Sequence, residues 1–281
     1  MIPAAGLGTR CLPLTKAIPK ELLPILDRPG LELIVDEAVA SGVDTIVLVT
    51  AKSKPALEAH FEPNSALEAL LTHKPDLLEA VQRTTSQCQV VSAPQDKPLG
   101  LGHAVGCAED AVGNEPFAVM LPDDLVFGAI PALSRLIELY EQSGKGIVLL
   151  QEVPQEDTGR YGVVRGTVCS DGTIAISDMV EKPRPEEAPS NLAIVGRYVF
   201  PADFCQRIRS TKPGAQGEIQ LTDAMRSLAQ DEGMIGVLLS GDRIDTGSPA
   251  GLFEAALYLA AREPSLRSMI RDVLNHAKFD E

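Results

Sequence analysis

With 281 residues, 44% of them hydrophobic and 23% charged, and a formal net charge of −14, the chain can bury one large core or two smaller ones. An acidic balance of this size excludes broad nucleic-acid binding, which depends on Lys and Arg neutralising phosphates. No apolar run approaches the ~18 residues of a membrane helix, and the ordinary Gly and Pro content argues against a disordered or repetitive chain. Cys11, Cys88, Cys107, Cys169 and Cys205 form no CxxC pair and stand far apart, so free thiols are expected rather than a disulfide framework or a zinc site. Together with the lack of a basic-then-apolar leader, this points to the cytoplasm.

The chain opens on MIPAAGLGTRCLPLTKAIPKELLPILDRP. Only Met1 and Ile2 precede Pro3, so a strand here is expected to be cut short, with its start upstream or trimmed away. Gly6 and Gly8 follow. Glycine lets the backbone approach a ligand and take positive φ, and successive N–H groups can form an anion-binding nest. The spacing fits neither the dinucleotide fingerprint, which meets Cys11 where it needs glycine, nor the P-loop. Taken alone, the pattern reads equally well as a tight turn. Yet Arg10, Lys16, Lys20 and Arg28 oppose only Glu21 and Asp27 here, a positive island in an acidic chain.

Residues 31–41 carry apolar side chains at helical spacing, with Gly42 as a stop. The run TIVLVTA at 45–51 predicts a strand buried on both faces, and 88–93, 117–124 and 145–153 read the same way. A second helix is predicted over 130–144, ending at Gly144. Strands alternating with helices imply right-handed crossovers and a mainly parallel sheet. From 161 the rhythm changes. Two strand-like runs flank Ser170-Asp171-Gly172, a hairpin signal, and 191–200 reads as another strand. A late helix is predicted over 249–264, between prolines. The expected class is α/β: a mixed, mostly parallel sheet flanked by helices, with inserted antiparallel strands.

The opening stretch resembles the signature of the bacterial sugar-phosphate nucleotidyltransferases, G-x-G-T-R…P-K-E-x-L-P…D-[KR]-P. The resemblance continues in order through GLGHAV (100–105), LPDD (121–124), YGVV (161–164), VEKP (180–183), SNLAIVGRY (190–198) and GEIQLTDA (217–224). Ala5-Gly6 matches the UTP-using branch, where the dTTP-using branch carries two glycines. The resemblance implies one Rossmann-like nucleotidyltransferase domain over 1–281. Residues 1–153 would mainly bind nucleotide, and 154–281 would bind the sugar and hold the C-terminal helices. It implies transfer of a uridylyl group from UTP to glucose 1-phosphate, and a homo-oligomer, dimer or tetramer, with no nucleic-acid or membrane partner.

Carried over residue by residue, Ala5, Gly6, Leu7, Gly8, Thr9, Arg10, Lys20, Glu21, Gln95 and Gly100 would bind the nucleotide. Arg10 offers a rigid fork to phosphate oxygens, with Lys20 the second cation and Lys16 a lesser one. A Gln95 amide can accept from uracil N3–H and donate to O4. Asp123 and Asp245 would hold Mg²⁺, since that ion is bound by one or two carboxylates plus substrate phosphates; Asp124 is the weaker alternative to Asp123. Glu181 would accept from sugar hydroxyls and Lys182 hold the sugar's phosphate, with Gly162 allowing close approach. Arg10, Lys20, Asp123 and Lys182 form the expected catalytic set. The bland readings are a turn aspartate at 123, a solvated lysine at 20 and a surface Glu–Lys pair at 181–182. The single DTG at 245–247 lacks the second carboxylate of an aspartic-protease dyad. His103 is expected at a helix start near the base, and His60, His73 and His276 at the surface. The competing functions are a thymidylyl- or cytidylyltransferase and a catalytically silent nucleotide-sugar-binding regulator.

Overall fold

A computed structural model describes residues 1–214 and 217–276; the last residues of the expected C-terminal part, 277–281, lie outside them. Strand β1 (Ile2–Pro3) leads into the glycine loop, and β2 (Pro24–Ile25) and β3 (Arg28–Pro29) form a small hairpin ahead of helix α1 (Gly30–Ala40). After β4 (Thr45–Thr50) come α2 (Pro55–Phe61), α3 (Ser65–Leu71), α4 (Pro75–Ser86) and β5 (Gln89–Pro94). Next are α5 (Leu101–Cys107), α6 (Glu109–Val112), β6 (Phe117–Met120), β7 (Asp124–Phe127), α7 (Ala132–Ser143) and β8 (Gly146–Glu152). The remainder is β9 (Gly162–Val168), β10 (Ile174–Glu181), β11 (Leu192–Phe200), α8 (Phe204–Ser210), α9 (Leu221–Asp231), β12 (Met234–Leu238), β13 (Asp242–Asp245), α10 (Pro249–Ala260) and α11 (Pro264–His276).

One sheet is parallel, in the order β1-β4-β5. A six-stranded sheet runs β6-β11-β8-β12-β10-β9; β8 and β12 are parallel, while β11 and β10 are antiparallel to their neighbours. Met1 N donates to Ala118 O at 2.8 Å and Met120 N to Met1 O at 3.0 Å, so the two sheets meet edge to edge. The expected mixed sheet with inserted antiparallel strands is therefore present, although not mostly parallel: across these two sheets the pairings are more often antiparallel, because β9, β10 and β11 run against their neighbours.

The continuous apolar runs have a simple cause. In β8, Val148 and Leu150 face one core with Phe200, Phe204 and Leu228, while Ile147 and Leu149 face a second with Ile34, Leu133 and Leu136. β4 divides likewise, Val47 and Val49 to one side and Ile46 and Leu48 to the other. Both faces are covered, so neither strand alternates with polar residues. The helices over 31–41 and 130–144 form as expected, with Gly144 in the left-handed region at φ 65°.

Three expectations are corrected. The run 88–93 is half-exposed, because β5 is the edge strand of its sheet. The stretch 117–124 is not one strand: it breaks at Leu121–Asp123, and the chain restarts as β7, paired antiparallel with β13. The late helix ends at Ala260, and Pro264 begins a separate helix, α11, as proline suits a first turn.

One buried ion pair ties the layers together. Arg197, on β11, has a fully buried side chain; its Nη2 donates to Glu37 Oε2 on α1 at 2.6 Å and to Asp124 O at 2.8 Å, and Nη1 donates to Gly196 O at 2.9 Å. Glu37 also accepts from Leu133 N, at the start of α7.

Helix α10 approaches β13 so closely that a Cβ on Gly251 would stand 1.7 Å from Asp245 O. Gly251→Ala must push the helix away from backbone, which cannot yield cheaply. We expect a loss of about 1–3 kcal/mol, typical of overpacking, read as a lower thermal midpoint with a parallel fall in activity; an unchanged midpoint refutes the contact.

Candidate active site

β1, β4 and β5 end side by side, and the loops that leave them line the carboxyl edge of the sheet, where ligands of open α/β sheets sit. Ala4 N is held on Val49 O at 2.7 Å and Gln95 N on Thr50 O at 2.8 Å. The glycine loop starts at that anchor. A Cβ on Gly6 would meet nothing within 4 Å, so the loop is open to a ligand there. Gly8 takes φ 64° and caps a short turn over Thr9–Cys11 that points Arg10 inward, while Thr15 Oγ1 donates to Gly8 O at 2.8 Å.

Arg10, Lys20, Asp123 and Asp245 converge. Lys20 Nζ donates to Asp123 Oδ2 at 2.6 Å. Arg10 donates to Asp123 Oδ2 through Nη2 and to Asp245 Oδ2 through Nη1, each at 3.4 Å. Burial alone would push the Asp123 carboxyl up; Lys20 and then Arg10 reverse this and hold it below the ordinary carboxylate range. Burial likewise works to lower the Lys20 ammonium, and Asp123 outweighs it and raises it. The pair is ionised from both sides.

The two carboxylates are fixed by backbone. Asp245 lies opposite Asp124 in the β7–β13 ladder, and Thr246 N donates to Asp123 O at 2.7 Å. Gly247 N donates to Asp245 Oδ1 at 2.8 Å. The donor set suits a hard divalent cation: two carboxylates already share one cationic group, the Arg10 guanidinium, and no group of three or more His, Cys, Asp or Glu among the described residues could hold a metal by itself. A cation here needs further oxygen ligands from a phosphate substrate. Asp124, the weaker alternative, is buried and already engaged; its carboxylate takes Gly196 N at 2.9 Å and the Arg243 guanidinium.

Across a cleft of about 600 Å³ stands the second group. Glu181 ends β10 opposite Gly162 in β9. Its Oε2 accepts from Thr222 Oγ1 at 2.6 Å, and Lys182 Nζ lies 3.5 Å from Oε1. Lys182 is bent to φ 45° while its N donates to Tyr161 O at 2.9 Å, and its side chain stays mostly exposed. Arg10, Asp123, Asp245, Gly162, Glu181 and Lys182 all line this one cleft.

Not every candidate faces it. Glu21 is enclosed: its carboxylate accepts from Lys54 Nζ at 2.9 and 3.1 Å, and Lys54 also donates to Ala4 O at 2.7 Å. Burial pushes the Glu21 carboxyl up and the Lys54 ammonium down, each only partly offset by the other. Glu21 thus braces the loop from beneath. Gln95 is buried, and its amide nitrogen is spent on Gly100 O at 3.3 Å and His103 Nδ1 at 2.8 Å, which leaves no donor for a base O4. His60 is half-buried, its Nε2 2.8 Å from Glu32 Oε1, whereas His73 and His276 are exposed as expected. The sequence reading missed Lys54, Thr222 and the Tyr161–Arg243 pair, whose guanidinium lies 5.4 Å from the ring centroid. Tyr161 and Thr222 lie inside the YGVV and GEIQLTDA stretches and Arg243 two residues before Asp245, so of these residues only Lys54 stood in no motif.

The profile of the nucleotidyl transferase family matches residues 1–262. A UTP–glucose-1-phosphate uridylyltransferase of Bacillus subtilis is 42% identical over 272 residues, 96% of this chain and 92% of its own. One from Staphylococcus epidermidis is 42% identical over 268 residues, 95% and 93% of the two chains. A UTP-bound UGPase of Acinetobacter baumannii superposes with a TM-score of 0.89 at 39% identity, covering 99% of this chain and 98% of that one. A UDP-glucose pyrophosphorylase complexed with UDP-glucose does so at 0.85 and 39%, covering 93% and 98%. With the family profile matching residues 1–262 and relatives at 42% identity over about 95% of its length, the chain belongs to the nucleotidyl transferase family.

Proposed function

We propose that the protein is a UTP–glucose-1-phosphate uridylyltransferase, making UDP-glucose and pyrophosphate. The carrying observation is the convergence of Arg10, Lys20, Asp123 and Asp245 on one side of a cleft whose other side holds Glu181 and Lys182. Near-full-length similarity to uridylyltransferases supports the substrates.

An oxygen of the sugar phosphate attacks the α-phosphorus of UTP, the bond to the bridging oxygen of the β-phosphate breaks, and pyrophosphate leaves. Positioning and charge stabilisation carry such transfers. Arg10 and Lys20 leave their internal carboxylates for the β- and γ-phosphates and stabilise the leaving group. Lys182 holds the sugar phosphate as a point charge, and Glu181, oriented by Thr222, accepts from neighbouring sugar hydroxyls. Asp123 and Asp245 would hold Mg²⁺, which supplies charge neutralisation at the reacting phosphates. Ala5, Gly6, Leu7, Gly8 and Thr9 offer backbone to the nucleotide, and Gln95 with Gly100 meets the base. In this reading 1–153 is mainly the nucleotide half and 154–281 mainly the sugar half of a single domain, with Asp123 and Asp245 contributed by different halves. The setting is cytoplasmic and the assembly a homo-oligomer. Among the described residues no helix is long and apolar enough to cross a membrane.

Pyrophosphate release with Mg²⁺ and glucose 1-phosphate, across UTP, dTTP, CTP, ATP and GTP, tests the reading. UTP preference is expected; dTTP preference overturns the base assignment, and binding without turnover in a folded sample returns the regulatory alternative. Lys182→Ala should raise the KM for glucose 1-phosphate about tenfold or more, as loss of a charge-assisted contact does, and that for UTP far less. Equal effects on both substrates count against its assigned partner.

A further inference from the structure

Base selection depends on which end of the Gln95 amide faces the ligand, and the surroundings of that amide fix it. The Gln95 backbone is anchored on Thr50 O. Its amide nitrogen lies 3.3 Å from Gly100 O and 2.8 Å from His103 Nδ1. A carbonyl oxygen only accepts, so the group turned to Gly100 is the NH₂. Gly100 cannot turn its carbonyl away: it sits at φ 103°, a Cβ there would lie 2.7 Å from Ile219 O, and Ile219 N and Gly102 N pin the segment through Leu99 O and Ile219 O. With both amide protons directed inward, the Gln95 contact requires His103 Nδ1, which Cys107 Sγ also approaches to 3.7 Å, to act as an acceptor, and so requires the ring proton on Nε2. Oε1 has no donor among the described residues.

We propose that His103 is a positioning residue for base choice: through Nδ1 it completes, with Gly100 O, an acceptor pair that consumes the Gln95 amide protons, so that Gln95 presents only an acceptor oxygen to the base. That oxygen matches the N3–H of uracil or thymine and opposes the N3 lone pair of cytosine. The inference rests on the proposed uridylyltransferase reading, in which Gln95 meets the base. It makes His103 a determinant against cytidine triphosphate, and neutral towards the methyl that separates thymine from uracil.

The test compares kcat/KM for UTP and CTP in the full chain. His103→Phe keeps a ring and removes the acceptor; the UTP-to-CTP ratio should fall about tenfold, with the KM for glucose 1-phosphate unmoved. His103→Asn, which carries an oxygen where histidine has Nδ1, should keep most of the ratio. A ratio unchanged in His103→Phe, or UTP, CTP and sugar kinetics falling together, overturns the proposal. Gln95→Leu separates the two levels: if it leaves UTP kinetics untouched, the base reading itself has failed, whatever His103 does. Long-range ¹H–¹⁵N spectra of the wild-type protein give an answer that survives a misfolded variant. A bare Nδ1 on His103 is expected, and a proton found there sinks the inference.

Discussion

Asp123→Asn should lower kcat by about 10²–10³ while the protein stays folded. A single electrostatic contact to a transferring group is typically worth that much. Asp123 is the common partner of Lys20 and Arg10, so the neutral amide both weakens the cation site shared with Asp245 and frees Lys20, while Arg10 keeps Asp245. These consequences pull apart in an assay. Turnover collapses, whereas metal-free UTP affinity holds or tightens, because Lys20 has lost the carboxylate that competed with the triphosphate. Steady-state pyrophosphate release, calorimetric titration of UTP without divalent cation, and circular dichroism together check it. A kcat within tenfold of wild type would remove Asp123 from the reacting centre.

The largest stability loss should come from Glu37→Ala. It leaves the Arg197 guanidinium, fully buried, with only Gly196 O and Asp124 O as partners. Breaking a buried pair from one side typically costs 3–5 kcal/mol, which corresponds to a fall of roughly 10 °C in Tm for a chain of this size. The double variant Glu37→Ala/Arg197→Met should be milder than Glu37→Ala, since no charge is stranded. Thermal melts of both decide it; a double variant as unstable as the sum of the singles would show that shape, rather than charge, holds the layers.

Local patterns carried most of the architecture. β4 and β8 were legible because strands covered on both faces cannot alternate, and the β9–β10 hairpin because Ser170-Asp171-Gly172 supplies its turn, with Gly172 at φ 81°. The break after Met120 was not, since Leu121-Pro122 continues an apolar run and only pairing with distant β13 redirects it. The candidate site divides the same way. Arg10, Lys20, Asp123, Glu181, Lys182 and Asp245 stand in motifs, and Asp123, Glu181 and Lys182 also fall at the end of predicted strands. Glu21 also stands in a motif, yet its orientation is decided by Lys54, a residue in no pattern. The Arg197–Glu37 pair spans 160 positions and leaves no local trace. A motif records that a residue is constrained; the direction of its side chain is settled by tertiary neighbours.

Asp123 and Asp245 are brought together because β7, near the middle of the chain, and β13, near its end, pair antiparallel. Their 122-residue separation means that the centre has no existence in a partly folded molecule. Loop-closure entropy opposes so distant a pairing until intervening strands have docked. On dilution from denaturant, helical ellipticity should therefore return before enzymatic turnover. During synthesis, a ribosome-bound chain that has exposed only Asp123 holds half of a centre and does no chemistry. Catalytic competence in this protein is a property of the finished topology, acquired in one of the last steps of folding.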